Sequence, residues 1–180
     1  TGCFHEDGLA DSADALGGGY TRERVLEILK DSRIGSFGAV ALVVSIGARA
    51  LLLANLEGTV APWAMAFVGC AARLGPVWQM VLMPYATDHG SKSRDLTRGG
   101  VSNGLIATGW FLILSLVLVS PAGLSIVGWL WLMALLVLVT CALGFYWYRR
   151  VQGVTGDFLG ATEQVSEVLI LSVLCWGIVR

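Results

Sequence analysis

Five stretches of the sequence, near 37–56, 61–83, 101–120, 124–148 and 165–179, stay apolar for long enough to cross a bilayer as helices. The hydrocarbon core is about 30 Å thick and takes about 20 helical residues to span. Lipid offers backbone N–H and C=O groups no partner, so a spanning segment must satisfy them within its own helix. The sequence therefore predicts an all-α integral membrane protein, a polytopic bundle of about five transmembrane helices. The fourth stretch is the plainest: it runs from Leu124 to Tyr148 without a formal charge and ends in Tyr146, Trp147, Tyr148, Arg149 and Arg150, an aromatic belt followed by a cationic stop. The fifth is short unless its helix begins near Asp157. Composition agrees, with 56% hydrophobic and 14% charged residues against about 25% charged in a soluble domain.

Threading the spans alternately puts 1–36, 84–100 and 149–164 on one side of the membrane. That side carries Arg22, Arg24, Lys30, Arg33, Lys92, Arg94, Arg98, Arg149 and Arg150, and the other only Arg180. Positive charge stays inside, so the first side is expected to be cytoplasmic. The chain reads as one membrane domain over 1–180, with 1–36 a cytoplasmic approach and 37–180 the bundle. Thr1 stands almost on the richest motif, which predicts a missing amino-terminal segment. The net charge of -1 excludes a nucleic-acid surface, which needs clustered basic residues. Cys3, Cys70, Cys141 and Cys175 are scattered and form no C-x-x-C pair, so they read as small apolar residues rather than as metal or thiol chemistry. Two arginines fall inside spans. Arg49, near the far end of its helix, is expected to snorkel to the interface, whereas Arg73 is mid-span and needs a partner, either Glu167 or a substrate phosphate.

The chemistry gathers in three clusters on the basic side. In His5-Glu6-Asp7-Gly8-Leu9-Ala10-Asp11-Ser12-Ala13-Asp14, a helix would set Asp7, Asp11 and Asp14 on one face at i, i+4 and i+7. Like charges so placed call for a divalent cation, and Mg²⁺ suits oxygen ligands that also meet phosphates; the alternative is a solvated acidic helix end. His5 and Glu6 are candidate general bases. Zinc is disfavoured, because no second His or Cys lies at ligand spacing and His89 is remote. In Lys30-Asp31-Ser32-Arg33-Ile34-Gly35-Ser36-Phe37-Gly38, Gly35 and Gly38 open the first span and would let backbone N–H groups approach an anion, Lys30 and Arg33 would neutralise phosphate, and Asp31 adds a metal ligand. The same stretch also serves as a flexible helix entry with basic anchors. In the third cluster, Asp157, Gly160, Ala161 and Gln164 share a face, with Asp157 either a metal ligand or a cap, and Glu163 and Glu167 lie deeper. Thr21 caps a short helix over 22–31 with an apolar stripe of Val25, Ile28 and Leu29.

These clusters in this order, HEDGLADSAD, KDSRIGSFG and TGDFLGATEQVSE, together with Thr1-Gly2 and with Arg73 ahead of Pro84-Tyr85-Ala86 and Gly90, resemble the cobalamin synthase family of adenosylcobinamide-GDP ribazoletransferases. The resemblance covers nearly the whole chain. It departs at Thr87, where an arginine is common, and lacks the family's amino-terminal helix. It implies a Mg²⁺-dependent transfer in cobalamin biosynthesis that joins adenosylcobinamide-GDP to α-ribazole or its 5′-phosphate and releases GMP. The expected metal ligands are then Asp7, Asp11 and Asp14, with Asp31 and Asp157 secondary. Lys30, Arg33, Gly35, Gly38 and Arg73 would contact substrate. The bilayer is the expected environment and a homo-oligomer is compatible with the pattern. Two alternatives remain. A CDP-alcohol phosphotransferase would want Ala-Arg where Asp11 stands. An ion channel or transporter would hold its acids near the midplane, often in internal repeats.

Overall fold

The computed structural model describes residues 2–86 and 100–176. Its elements are α1 (Phe4–Gly18), α2 (Arg22–Ile28), α3 (Ser36–Ala54), α4 (Ala61–Leu82), α5 (Val101–Leu118), α6 (Ile126–Val151) and α7 (Gly156–Trp176). Among the described residues there is no strand beyond an isolated bridge between Tyr85 and Val154. Helices α3 to α7 are each long and apolar enough to cross a membrane. The last begins at Gly156, so the fifth span gains its missing turns from the TGDFLGA segment. Thr155 opens it, its hydroxyl accepting from Phe158 N–H at 3.3 Å. Arg98, Arg94, Lys92, His89, Gly90, Thr87 and Arg180 lie outside the described residues.

Burial separates a centre from a periphery. Of the apolar windows, α7 has 56% of its residues buried, against 11% in α3 and α6, because α7 packs on α1, α3, α4 and α6 at once. Apolar side chains such as Val43, Leu51, Leu116, Trp131 and Leu138 point outward and are well exposed. In water each would forgo about 1.5–3 kcal/mol of burial; hydrocarbon removes that cost, and the chain is an integral membrane protein. The interior holds Phe67, Phe111, Leu132 and Ile170 from four of the spans. A second cluster at the other end joins Val25, Trp147, Val151 and Phe158, with the Trp147 and Phe158 rings stacked at 4.4 Å.

Residues 1–36 are not a separate approach to the bundle. Helix α1 packs along α7 and α3, antiparallel to both. Its carboxyl-terminal half meets the start of α3, where Asp14 accepts from Gly35 and Gly38. Its first turn reaches Arg49, about 20 Å further along α3 at 1.5 Å per residue. Helix α2 stops at Ile28 rather than 31, and Thr21 caps it by accepting from Arg24 N–H. This end is stitched by arginines: Arg22 donates to the carbonyls of Val151 and Ala86 at 2.9 and 2.8 Å, and Arg150 to that of Gly19.

Candidate functional site

Glycine sets the spacing of the site. A Cβ on Gly8 would stand 2.8 Å from the carbonyl oxygen of Asp157, and one on Gly160 would stand 3.2 Å from that of His5. The backbones of α1 and α7 therefore touch, and Asp157 comes beside the acidic face of α1. Asp11 feels the result. Burial first, then the charges of Asp7, Asp157 and Asp14, push its carboxyl up to about 6. Among the described residues no Lys, Arg or His pairs with Asp7, Asp11 or Asp157, so the repulsion stands uncompensated. Because the obstacle at Gly8 is backbone, Gly8→Ala should force the helices apart at a cost of about 1–3 kcal/mol. A lowered thermal midpoint in detergent, with loss of whatever activity the cluster supports, is the expected reading.

The carboxylates predicted as one set divide. Asp14 accepts from Gly35 N–H at 2.6 Å and from Gly38 N–H at 2.9 Å, so the anion held by the first turn of α3 is supplied by α1. A Cβ on either glycine would lie 2.4 Å from that carboxylate. Asp31 is gripped by its neighbour, with Arg33 Nη2 at 2.6 Å from its Oδ2; hydrogen bonds from the Arg33 side chain and backbone hold it down to about 2. The Arg33 side chain is 87% exposed, Lys30 is exposed with no ion pair among the described residues, and a cleft of about 430 Å³ opens between Asp14, Arg33, Gly35 and Phe37. The structure thus brings Asp7, Asp11 and Asp157 together, with Asp14 at their edge, and leaves Asp31 apart.

Deeper in the bundle lies a polar layer. Arg49 does not snorkel outward: its Nη1 donates to Glu167 Oε2 at 2.8 Å and its Nη2 to Glu6 Oε1 at 3.1 Å. Two carboxylates on neighbouring helices offer a better match than the interface would. Arg73 pairs not with Glu167 but with Glu163, at 3.2 Å, and also donates to the Gly69 carbonyl. Glu163 further accepts from Gln164 and stands 3.3 Å from His5 Nδ1, while Ser45 donates to Gln164. Burial, then the Arg73 charge, lowers the His5 imidazole. For Glu6 burial pulls upward, but backbone and Arg49 hydrogen bonds outweigh it and keep the carboxyl below its usual range. Neither the Arg49 bridge nor Ser45 was visible as site structure in the sequence; the one signal was a charge inside an apolar span.

Among the described residues no three His, Cys, Asp or Glu side chains converge closely enough to close a metal site by themselves. Magnesium does not demand that, since it keeps waters and is commonly held by one or two carboxylates together with substrate phosphates. The oxygen-only set of Asp7, Asp11 and Asp157 could offer such an ion one or two of its ligands, with water and phosphate supplying the rest. A cavity of about 740 Å³ lies elsewhere, between α4, α5 and α6, and its walls include Trp78, Phe111, Trp129 and Leu136. Among the described residues its walls carry no carboxylate or cation.

The sequence matches a family model described as cobalamin-5-phosphate synthase over residues 1–175. It is 43% identical over 177 residues to an adenosylcobinamide-GDP ribazoletransferase of Bradyrhizobium diazoefficiens, covering 96% of this chain and 65% of that protein. A protein of the same name from Sinorhizobium medicae is 38% identical, with 99% and 69% covered, and one from Ralstonia pickettii is 39% identical, with 99% and 66% covered. The chain thus spans about two thirds of the length of these relatives. No solved structure matches it.

Proposed function

From the premise that the chain belongs to the cobalamin-5-phosphate synthase family, we propose that it acts as an adenosylcobinamide-GDP ribazoletransferase. The supporting observation in this molecule is the cluster of Asp7, Asp11 and Asp157, three carboxylates on two touching helices that no cation among the described residues pairs with. Family membership sets aside the phosphotransferase and transporter alternatives. In the reaction a free ribose hydroxyl of α-ribazole, or of its 5′-phosphate, attacks the phosphorus that bears cobinamide. The bridging P–O bond of the diphosphate breaks, GMP leaves with the bond's electrons, and the attacking hydroxyl gives up its proton.

A bound Mg²⁺ would neutralise phosphate oxygens, and one or two carboxylates from the set Asp7, Asp11 and Asp157 would hold it. The chain's other groups position and exclude. Lys30 and the exposed fork of Arg33 meet the diphosphate at the mouth of the cleft beside Asp14. Gly35 and Gly38 serve indirectly, by fixing Asp14 and so the angle between α1 and α3. His5 is the better proton acceptor: it is neutral near pH 7, and with Nδ1–H turned to Glu163 its Nε2 keeps a lone pair. Glu6, held below its usual range by Arg49, is the weaker base. The basic ends of the helices gather at the carboxylate end, which supports a cytoplasmic site in the bacterial inner membrane.

Metal dependence tests this reading. Chelation should abolish transfer and added Mg²⁺ restore it. A metal displacing the Asp11 proton should bind about tenfold more weakly per unit of pH below about 6 and level off above it. Turnover that survives chelation, or affinity flat between pH 5 and 7, would contradict the metal site.

A further inference from the structure

Helix α4 packs on both α5 and α6, but those two scarcely touch each other. Each seam has its own fastening. A Cβ on Gly75 would stand 2.5 Å from Thr140 Oγ1, so α6 lies hard against α4; on the other flank Trp78 donates to Thr108 of α5 at 3.0 Å, with Gly104 close against its ring. The cavity of about 740 Å³ is the slot left between the seams. Its wall on α6 runs from Trp129 to Tyr148, about 28 Å at 1.5 Å per residue, which is close to the ~30 Å of the hydrocarbon core. Leu112 on α5 and Leu130, Val137 and Phe145 on α6 border the slot and are well exposed. It therefore opens sideways, to the hydrocarbon around the bundle. One end is charged at its rim. There the Arg149 guanidinium lies 5.7 Å from the centroid of the Phe145 ring, and Tyr148 stands beside it in the wall. Arg150 donates to the Gly19 carbonyl, whereas Arg149 is exposed and makes no ion pair among the described residues. A long apolar slot with lateral access and an unmatched cation at the interfacial rim has the chemistry of a lipid site, with hydrocarbon along the walls and a phosphate on the guanidinium. A segment of protein would fill the slot and leave that charge unmatched.

We propose that the slot between α5 and α6 binds one anionic phospholipid, with an acyl chain against α4 and the phosphate on Arg149. The test is native mass spectrometry of the purified chain released from detergent, titrated with phosphatidylglycerol or with phosphatidylcholine of the same acyl chains. Arg149→Gln removes the cation. Cys141→Phe fills the slot from an exposed position on its α6 wall, and Val137→Phe, also an exposed wall position, carries the same test if the first variant does not fold. Leu116→Phe, on the outward face of α5 and outside the slot, is the control. We expect one phosphatidylglycerol per chain to be held in preference to phosphatidylcholine. Arg149→Gln should cut that preference about fivefold, the filling variant should weaken both lipids about tenfold, and the control should change neither. Equal retention of the two lipids by the unaltered chain, or phosphatidylglycerol binding that neither variant moves, overturns the proposal and leaves only a lipid annulus. A dimer that the filling variant dissociates overturns it as well, by giving the slot to a second copy of the chain.

Discussion

Asp11→Asn should stop transfer and at the same time make the metal-free protein more stable. Loss of a carboxylate that holds the ion stabilising the reacting phosphates is worth about 10²–10³-fold in rate, and the asparagine keeps the shape of the side chain. The stability effect has the opposite sign because the Asp11 carboxyl is pushed up to about 6 by burial and by Asp7, Asp157 and Asp14. Its ionised form is therefore the costly one in the fold. The cost is absent below about pH 4, where the group is protonated both folded and unfolded, grows between pH 4 and 6, and is present in full above 6. At pH 8 in chelator, Asp11→Asn should then gain about 1–2 kcal/mol, allowing for the partial exposure of the group. Thermal unfolding at pH 4 and pH 8 with a parallel rate assay checks both halves. A variant that loses activity together with stability at pH 8 would make Asp11 a structural residue.

Arg73→Gln should behave as the breaking of a buried ion pair. Its partner Glu163 is 1% exposed and would be left without its cation, while the guanidinium is itself 43% exposed, so the loss belongs near the lower end of the ~3–5 kcal/mol range for such pairs. Removing both charges in Arg73→Gln/Glu163→Gln should recover most of that stability, a coupling that a double-mutant cycle measures directly. If instead the single variant unfolds like wild type while substrate binding collapses, and Glu163→Gln gives no rescue, Arg73 contacts the substrate.

Much of the bundle could be read from the sequence, because apolar length is a property of each segment alone. The spans near 37–56, 61–83 and 101–120 match α3, α4 and α5 to within a few residues, and the early start of α7 near Asp157 was legible as the way to lengthen a short fifth span. The helical face of Asp7, Asp11 and Asp14 was likewise local. What the sequence could not carry was which acid meets what across helices. Asp14 and Asp157 exchange standing because Gly8 and Gly38 let different backbones approach, and close approach is a pairwise property. Arg49 and Arg73 were visible as costly charges, but their partners, Glu6 with Glu167 and Glu163 respectively, depend on how α1, α3, α4 and α7 register against one another, which no spacing in the sequence encodes.

The proposed activity is most directly tested by the products of one reaction. Purified protein in liposomes, given adenosylcobinamide-GDP, α-ribazole and Mg²⁺, should release GMP and form the corresponding cobamide in equal amounts, and neither should appear with Asp157→Asn. Absence of both products from correctly inserted wild-type protein, or transfer from a CDP-alcohol but not from adenosylcobinamide-GDP, would contradict it.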